Sequence, residues 1–156
     1  MIQSTASEVV AAYLIGLGTL GIGRPADDPT WPISKGALPT GTVSTTARPV
    51  GGDSWVSCRD VTPYTEGKYQ STGESVVKPK VQILVRHKDY DAASLQARKI
   101  SEALSPVNRV TVETLSEEEV LFEACCIEQQ PAFLYEEEKN RRQVFVLVVK
   151  VTISEV

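Results

Sequence analysis

VQILVRHKDYDAASLQARKISEAL, from Val81 to Leu104, holds the two periodicities that decide the fold. Val81, Ile83 and Val85 fall on one side of an extended chain, the period-two pattern of a strand with a buried face. Ala93, Ala97, Ile100 and Leu104 then recur at i, i+4, i+7 and i+11, one core-facing helical stripe, with Gln96, Arg98, Lys99 and Glu102 off it. Between them lies RHKDYD, where the chain's one histidine, His87, stands beside Asp89 and Asp91. His87 and Asp89 make two candidate metal ligands with no third in view, and a lone histidine needs an orienting partner and a pocket to move protons. Asp89 suits a helix N-cap, where its carboxylate accepts from the first free amides, and Asp91 suits the positive end of the helix dipole. The hexapeptide therefore reads as a corner between strand and helix, with Asp89 as the cap.

Upstream, Thr5 and Glu8 stand at capping-box spacing before a stripe of Val9, Val10, Tyr13, Leu14 and Leu17, which predicts a first helix ended by Gly16 to Gly23. From Arg24 to Asp53 the composition turns to Pro, Gly, Thr and Ser, and this stretch is expected to be a long loop insertion. Trp31, Ile33 and Leu38 are isolated apolar residues within it and are the candidates for contact with a partner. WVSCRDV (Trp55–Val61) alternates as a strand, and a second polar loop follows from Thr62 to Glu74. After Leu104, Pro106 closes the second helix, and RVTVETL, VLFEACCIE and QVFVLVVKVTIS read as three more strands. The glutamate runs Glu117–Glu119 and Glu136–Glu138 read as solvated turns. The expected fold is one α+β domain over residues 1–156: a largely antiparallel sheet of four to five strands, two helices on one face, and long Pro/Gly-rich loops.

The last strand is apolar on both faces. Val144, Val146 and Val148 line one; Phe145, Leu147, Val149, Val151 and Ile153 line the other. Two helices cover one face of an antiparallel sheet, so something else must cover the second, either the long loop or a neighbouring subunit. Phe145, Leu147, Val149 and Val151 are the candidates for core or subunit-interface residues.

Composition narrows function by exclusion. With 42% hydrophobic and 23% charged residues the chain matches a soluble globular protein, and no apolar run reaches a membrane span. MIQSTASEVV lacks the basic and apolar blocks of a signal peptide, so a cytoplasmic site of synthesis and assembly is expected. A net charge of −4 without a basic stripe is poorly suited to gripping nucleic acid. Cys58, Cys125 and Cys126 form neither a disulfide framework nor a zinc pattern. No nucleophile elbow, P-loop or zinc-protease signature is present, and the glycines of GLGTLGIG follow a helix instead of opening one. No catalytic, cofactor-binding or metal residues are assigned.

The arrangement from Val76 onward resembles the tail terminator proteins of long-tailed bacteriophages, also called tail-completion or minor capsid proteins. The resemblance is carried by a strand ending in Arg86, an Asp89-Tyr90 step with Ala92 or Ala93 opening a helix, Gln130-Pro131 with Phe133, a charged turn, and the apolar strand Gln143–Ile153. It implies a non-enzymatic virion protein that forms a homo-oligomeric ring, hexameric in the family, at the head-proximal end of the tail tube. Its partners would be the tail tube protein and a head–tail connector or neck protein, with DNA only passing through the lumen and no membrane contact. A head-side neck or connector-completion protein is the alternative reading. A small α+β enzyme or ligand-binding domain using His87 and Asp89 is the third.

Overall fold

The computed structural model describes residues 2–36, 38, 53–68 and 75–156. In chain order they form α1 (Ala6–Leu17), β1 (Ile22–Gly23), a short 3-10 turn (Pro25–Asp27), β2 (Trp31–Lys35), β3 (Trp55–Lys68) and β4 (Ser75–His87). Then come α2 (Tyr90–Leu104), β5 (Asn108–Glu113), β6 (Glu119–Glu136) and β7 (Gln143–Glu155).

Both helices start where their side chains make them start. The Thr5 hydroxyl accepts from the Glu8 amide at 3.4 Å, and the Glu8 carboxylate accepts from the Thr5 amide at 3.0 Å, the reciprocal pair of a capping box. Gly18 ends α1 at φ 69°, a left-handed conformation that a side chain would strain. In α2 the Asp89 carboxylate accepts from the Asp91 amide at 3.2 Å, and Ala93, Ala97, Ile100 and Leu104 are all fully buried. The stripe read from the sequence is the stripe that packs.

The sheet is α+β in setting but larger than expected and mixed. Seven strands run in the order β1-β2-β3-β4-β7-β6-β5, where four to five antiparallel ones were expected. β1 pairs with β2 and β2 with β3 in parallel; the remaining pairings are antiparallel. Of the two additional strands, β2 lies inside the stretch read as a loop and β1 in the glycine run just before it. WPISK escapes notice because it is five residues long and carries a proline, a residue that argues against a strand when the sequence is read alone. A parallel β2–β3 pair also needs a long crossover, which residues 36–54 supply. The rest of the expected 24–53 loop (37 and 39–52), and residues 69–74 of the second expected loop, lie outside the described residues. Thr62–Lys68, read as part of that second loop, belongs to β3.

β6 likewise runs past the expected end of its strand, through Gln129 to Glu136. Pro131 is accommodated because the register slips between Gln129 and Ala132, so Pro131 has no partner position in β7 that would need its missing N–H.

Both helices lie on one face, as expected. Val9, Val10 and Leu14 of α1 and the α2 stripe share one core with Val56, Val81, Ile83, Val85, Phe122, Phe145, Leu147, Val149 and Val151. The helices are tied to each other and to the sheet at Tyr13, whose hydroxyl donates to the Ala103 carbonyl at 3.2 Å and whose ring meets Phe122 edge-on at 5.5 Å. At the chain start, Glu118 does more than solvate a turn. Its carboxylate accepts from the Gln3 amide at 3.0 Å, the Ser4 amide at 3.1 Å and the Ser4 hydroxyl at 3.2 Å, which fixes the entry to α1 against the β5–β6 turn.

Leu147 is central to this core and fully buried. Leu147→Ala should cost about 2–5 kcal/mol, read as a lower midpoint in chemical denaturation at unchanged slope.

Candidate assembly surface

The RHKDYD corner is occupied by local bonds. The Asp89 amide donates to His87 Nδ1 at 2.9 Å, and the His87 ring tilts against Trp31 with centroids 5.4 Å apart. One imidazole nitrogen is thus committed to the turn and the ring to packing. Among the described residues no three His, Cys, Asp or Glu side chains gather as metal ligands. The geometry here is that of a helix start.

The second face of the sheet is organised in rows across the strands. Trp55, Arg86, Val144 and Tyr135 stand side by side on β3, β4, β7 and β6, and Ser57, Leu84, Val146 and Ala132 form the next row. Trp55, Leu84, Val144 and Val146 make a second apolar cluster, and Leu38, from the chain beyond β2, is buried against it. The two explanations expected for this face therefore resolve in part towards the chain itself, since Leu38 covers some of it.

Two arginines are buried at the same end. Arg86 and Arg142 expose 0% and 1% of their side chains, and both face Glu137. Arg142 Nε donates to Glu137 Oε1 at 2.5 Å, while Arg86 Nη1 lies 3.8 Å from Glu137 Oε2. Burial pulls the Arg86 guanidinium down to about 10, with Arg142 adding to the fall and Glu137 opposing it. It stays charged at neutral pH, so Glu137 supplies the charge that makes burying two cations tolerable. The backbone sets the carboxylate in place: the Glu137 amide donates to the Arg142 carbonyl and the Arg141 amide to the Glu137 carbonyl, each at 2.9 Å. The run Glu136–Glu138 reads from the sequence as a solvated turn; its middle residue instead faces two buried guanidinium groups. The signal that would have shown this is the pairing of Glu137 with Arg142 across a tight turn.

The residues singled out as contacts are mostly inside the subunit. Phe145, Leu147, Val149 and Val151 are 4%, 0%, 0% and 1% exposed, packed on the helix face of β7. Within the subunit they are core residues. Trp31 and Ile33 lie on β2, and Leu38 follows it; all three are buried in their own chain, at 8%, 5% and 8% exposure. An open apolar surface that the sequence reading did not single out lies between the strand VLFEACCIE and the charged turn. Phe133, Leu134 and Tyr135 on β6 are each close to half exposed, with half-exposed Tyr90 at the start of α2 beside them. The rings of Tyr90 and Phe133 each meet Phe145 edge to face, at 4.9 and 5.7 Å, and tilt against each other at 5.6 Å, so the patch is rooted in the core. Its clue in the sequence is PAFLY, an apolar run after a proline.

What this geometry offers is surface for assembly. A model of the family described as bacteriophage tail terminator protein matches residues 38–154, and the chain belongs to that family. It is accordingly a structural protein of the phage virion, located in the tail and neck region. A chain in a solved structure titled "Virion of native gene transfer agent (GTA) particle" is similar over 97% of this chain and 98% of its own, at 16% identity and a TM-score of 0.45. No curated protein matches this chain.

Three outcomes follow from the site. Glu137→Gln should cost about 3 kcal/mol by removing the carboxylate that both buried guanidinium groups face, whereas Glu138→Gln, exposed on the same turn, should stay within about 0.5 kcal/mol of the parent. Asp89→Ala should cost about 1 kcal/mol and His87→Ala should leave assembly intact, both read from thermal melts and light scattering. Burial pushes the Cys58 thiol up to about 12, and Cys125 likewise, while Cys126 is exposed. Mass spectrometry after iodoacetamide should show Cys126 alkylated first in the folded subunit, with Cys58 modified only on unfolding.

Proposed function

We propose that this protein closes the head-proximal end of the phage tail tube as a homo-oligomeric ring, hexameric as the family resemblance implies. The ring ends tube polymerisation and presents a surface to the connector or neck protein of the head. The protein acts without catalysis, cofactor or metal, as one domain over residues 1–156. DNA passes through the lumen without being held, in keeping with a net charge of −4.

The family match across residues 38–154 carries this reading. The exposed patch of Tyr90, Phe133, Leu134 and Tyr135 supports it, since apolar surface rooted in a core and left open is where subunits meet. A ring needs a heterologous contact that closes, and one molecule must then offer two different surfaces.

The test is position in the particle. Electron microscopy of intact virions is expected to place a ring of this protein between the last tail-tube layer and the neck. Virions assembled without it are expected to carry tubes of irregular length that fail to join heads. Finding the protein on the portal side of the neck would replace this reading with that of a head-completion protein. Finding it absent from particles would remove both.

A further inference from the structure

Among the described residues the sheet has a free edge on each side. β5 covers β6 only from Glu119 to Ala124, so Cys125–Glu136 pairs with β7 on one edge and with no strand on the other. On the opposite side β2 covers β3 only from Val56 to Cys58, so from Arg59 onward β3 pairs with β4 alone. Free edges present backbone donors and acceptors to any passing strand, and natural proteins blunt them with prolines and bulges. Pro131 and the slips around it interrupt the β6 edge, and the slip between Val61 and Tyr64, where Pro63 lies, interrupts the β3 edge. Between the interruptions, Cys125–Ile127 and Ala132–Phe133 keep register on β6, the latter followed by a slip before Tyr135, and Arg59–Val61 keeps it on β3. Of the β6 stretches, Ala132–Tyr135 carries the large exposed apolar side chains and is set against Arg59–Val61 here.

These two segments match each other in two ways. β3 is antiparallel to β4, β4 to β7 and β7 to β6, so β3 and β6 run in opposite directions. Copies set side by side in one orientation therefore bring β6 of one against β3 of the next as antiparallel neighbours. Each segment also carries exposed apolar side chains, Phe133, Leu134 and Tyr135 on one and Val61 on the other, at 46%, 46%, 44% and 36% exposure.

We propose that Ala132–Tyr135 on β6 of one copy adds as a strand to Arg59–Val61 on β3 of a second copy, so that the sheet continues from subunit to subunit. The occupant of each edge is another copy of this chain, and the contact is heterologous, joining two different surfaces of the same molecule. This rests on the ring reading above and adds which surfaces meet.

The experiment uses Val61→Asp and Leu134→Asp, each at an exposed position, with Leu95→Asp on α2, 46% exposed, as a control. Assembly is read by light scattering and electron microscopy, for the protein alone and with its tail tubes. Wild type and Leu95→Asp are expected to form rings, and the two edge variants to remain monomers with unchanged melts. An equimolar mixture of the edge variants should yield dimers and no rings, because each variant retains the edge that the other lacks. Should either variant melt well below wild type, Val61→Lys and Leu134→Lys replace it at the same positions. Rings formed by either edge variant, or a mixture that stays monomeric, would overturn the edge pairing while leaving the ring reading in place. A wild-type protein that forms no ring even on its tubes would sink the ring reading and the edge pairing with it.

Discussion

β7 has a strand on each edge, β4 and β6, and buried apolar side chains on each face. From Val144 to Leu147 such a strand is shut off from water on both faces, and the rest of the structure answers that constraint. On one face α1 and α2 supply the cover, which is why both helices carry an apolar stripe. On the other face Val144 and Val146 cluster with Trp55 and Leu84 of the neighbouring strands, and Leu38, from the chain beyond β2, is buried against them. Burying apolar surface on both faces gives a large driving force for folding, at roughly 25 cal/mol per Å² removed from water. It also commits every neighbouring strand to one register, because a one-residue slip would turn each side chain to the wrong face.

The same constraint explains the buried charges. Arg86 follows Leu84 on the second face, and Arg142 enters just before β7, so both guanidinium groups fall where the sheet is otherwise apolar. Glu137 is held opposite them by the backbone bonds of the turn that leads into β7. A buried pair of this kind is weak evidence for added stability; its better-attested use is to fix one arrangement against others. Here it pins the β6–β7 turn, and with it the end of β6 that carries Phe133, Leu134 and Tyr135. Local charge pairing thus positions the exposed apolar patch.

Much of the fold was legible because its signals are local. The capping box at Thr5 and Glu8, the cap at Asp89 and the α2 stripe each involve residues within a turn or two of one another. The alternation in β4 and β7 is equally local and correctly put both faces of β7 in apolar surroundings. The strands that were missed fail for the same reason in reverse. β2 is short and holds Pro32, and its existence depends on β3 and β1 lying beside it, which nothing in WPISK announces. The extension of β6 through Gln130 and Pro131 depends on a slip in its register against β7. For the candidate surface, Trp31, Ile33 and Leu38 looked like loop residues free for a partner, because burial by distant strands leaves no mark on their own neighbours in sequence.

By itself the sequence determined the helices, the central strands, the two-faced character of β7 and a family resemblance that the match over residues 38–154 bears out. These rest on periodicity and capping, which act over a few residues and are written where they act. Only the tertiary structure decided which apolar residues stay inside the subunit and which remain open, and that Glu118 and Glu137 are clamps and not solvated turns. Those outcomes turn on contacts between segments far apart in the chain, such as Glu118 with Gln3 and Glu137 with Arg86. A charge or an aromatic ring carries no local sign of whether a distant partner will bury it.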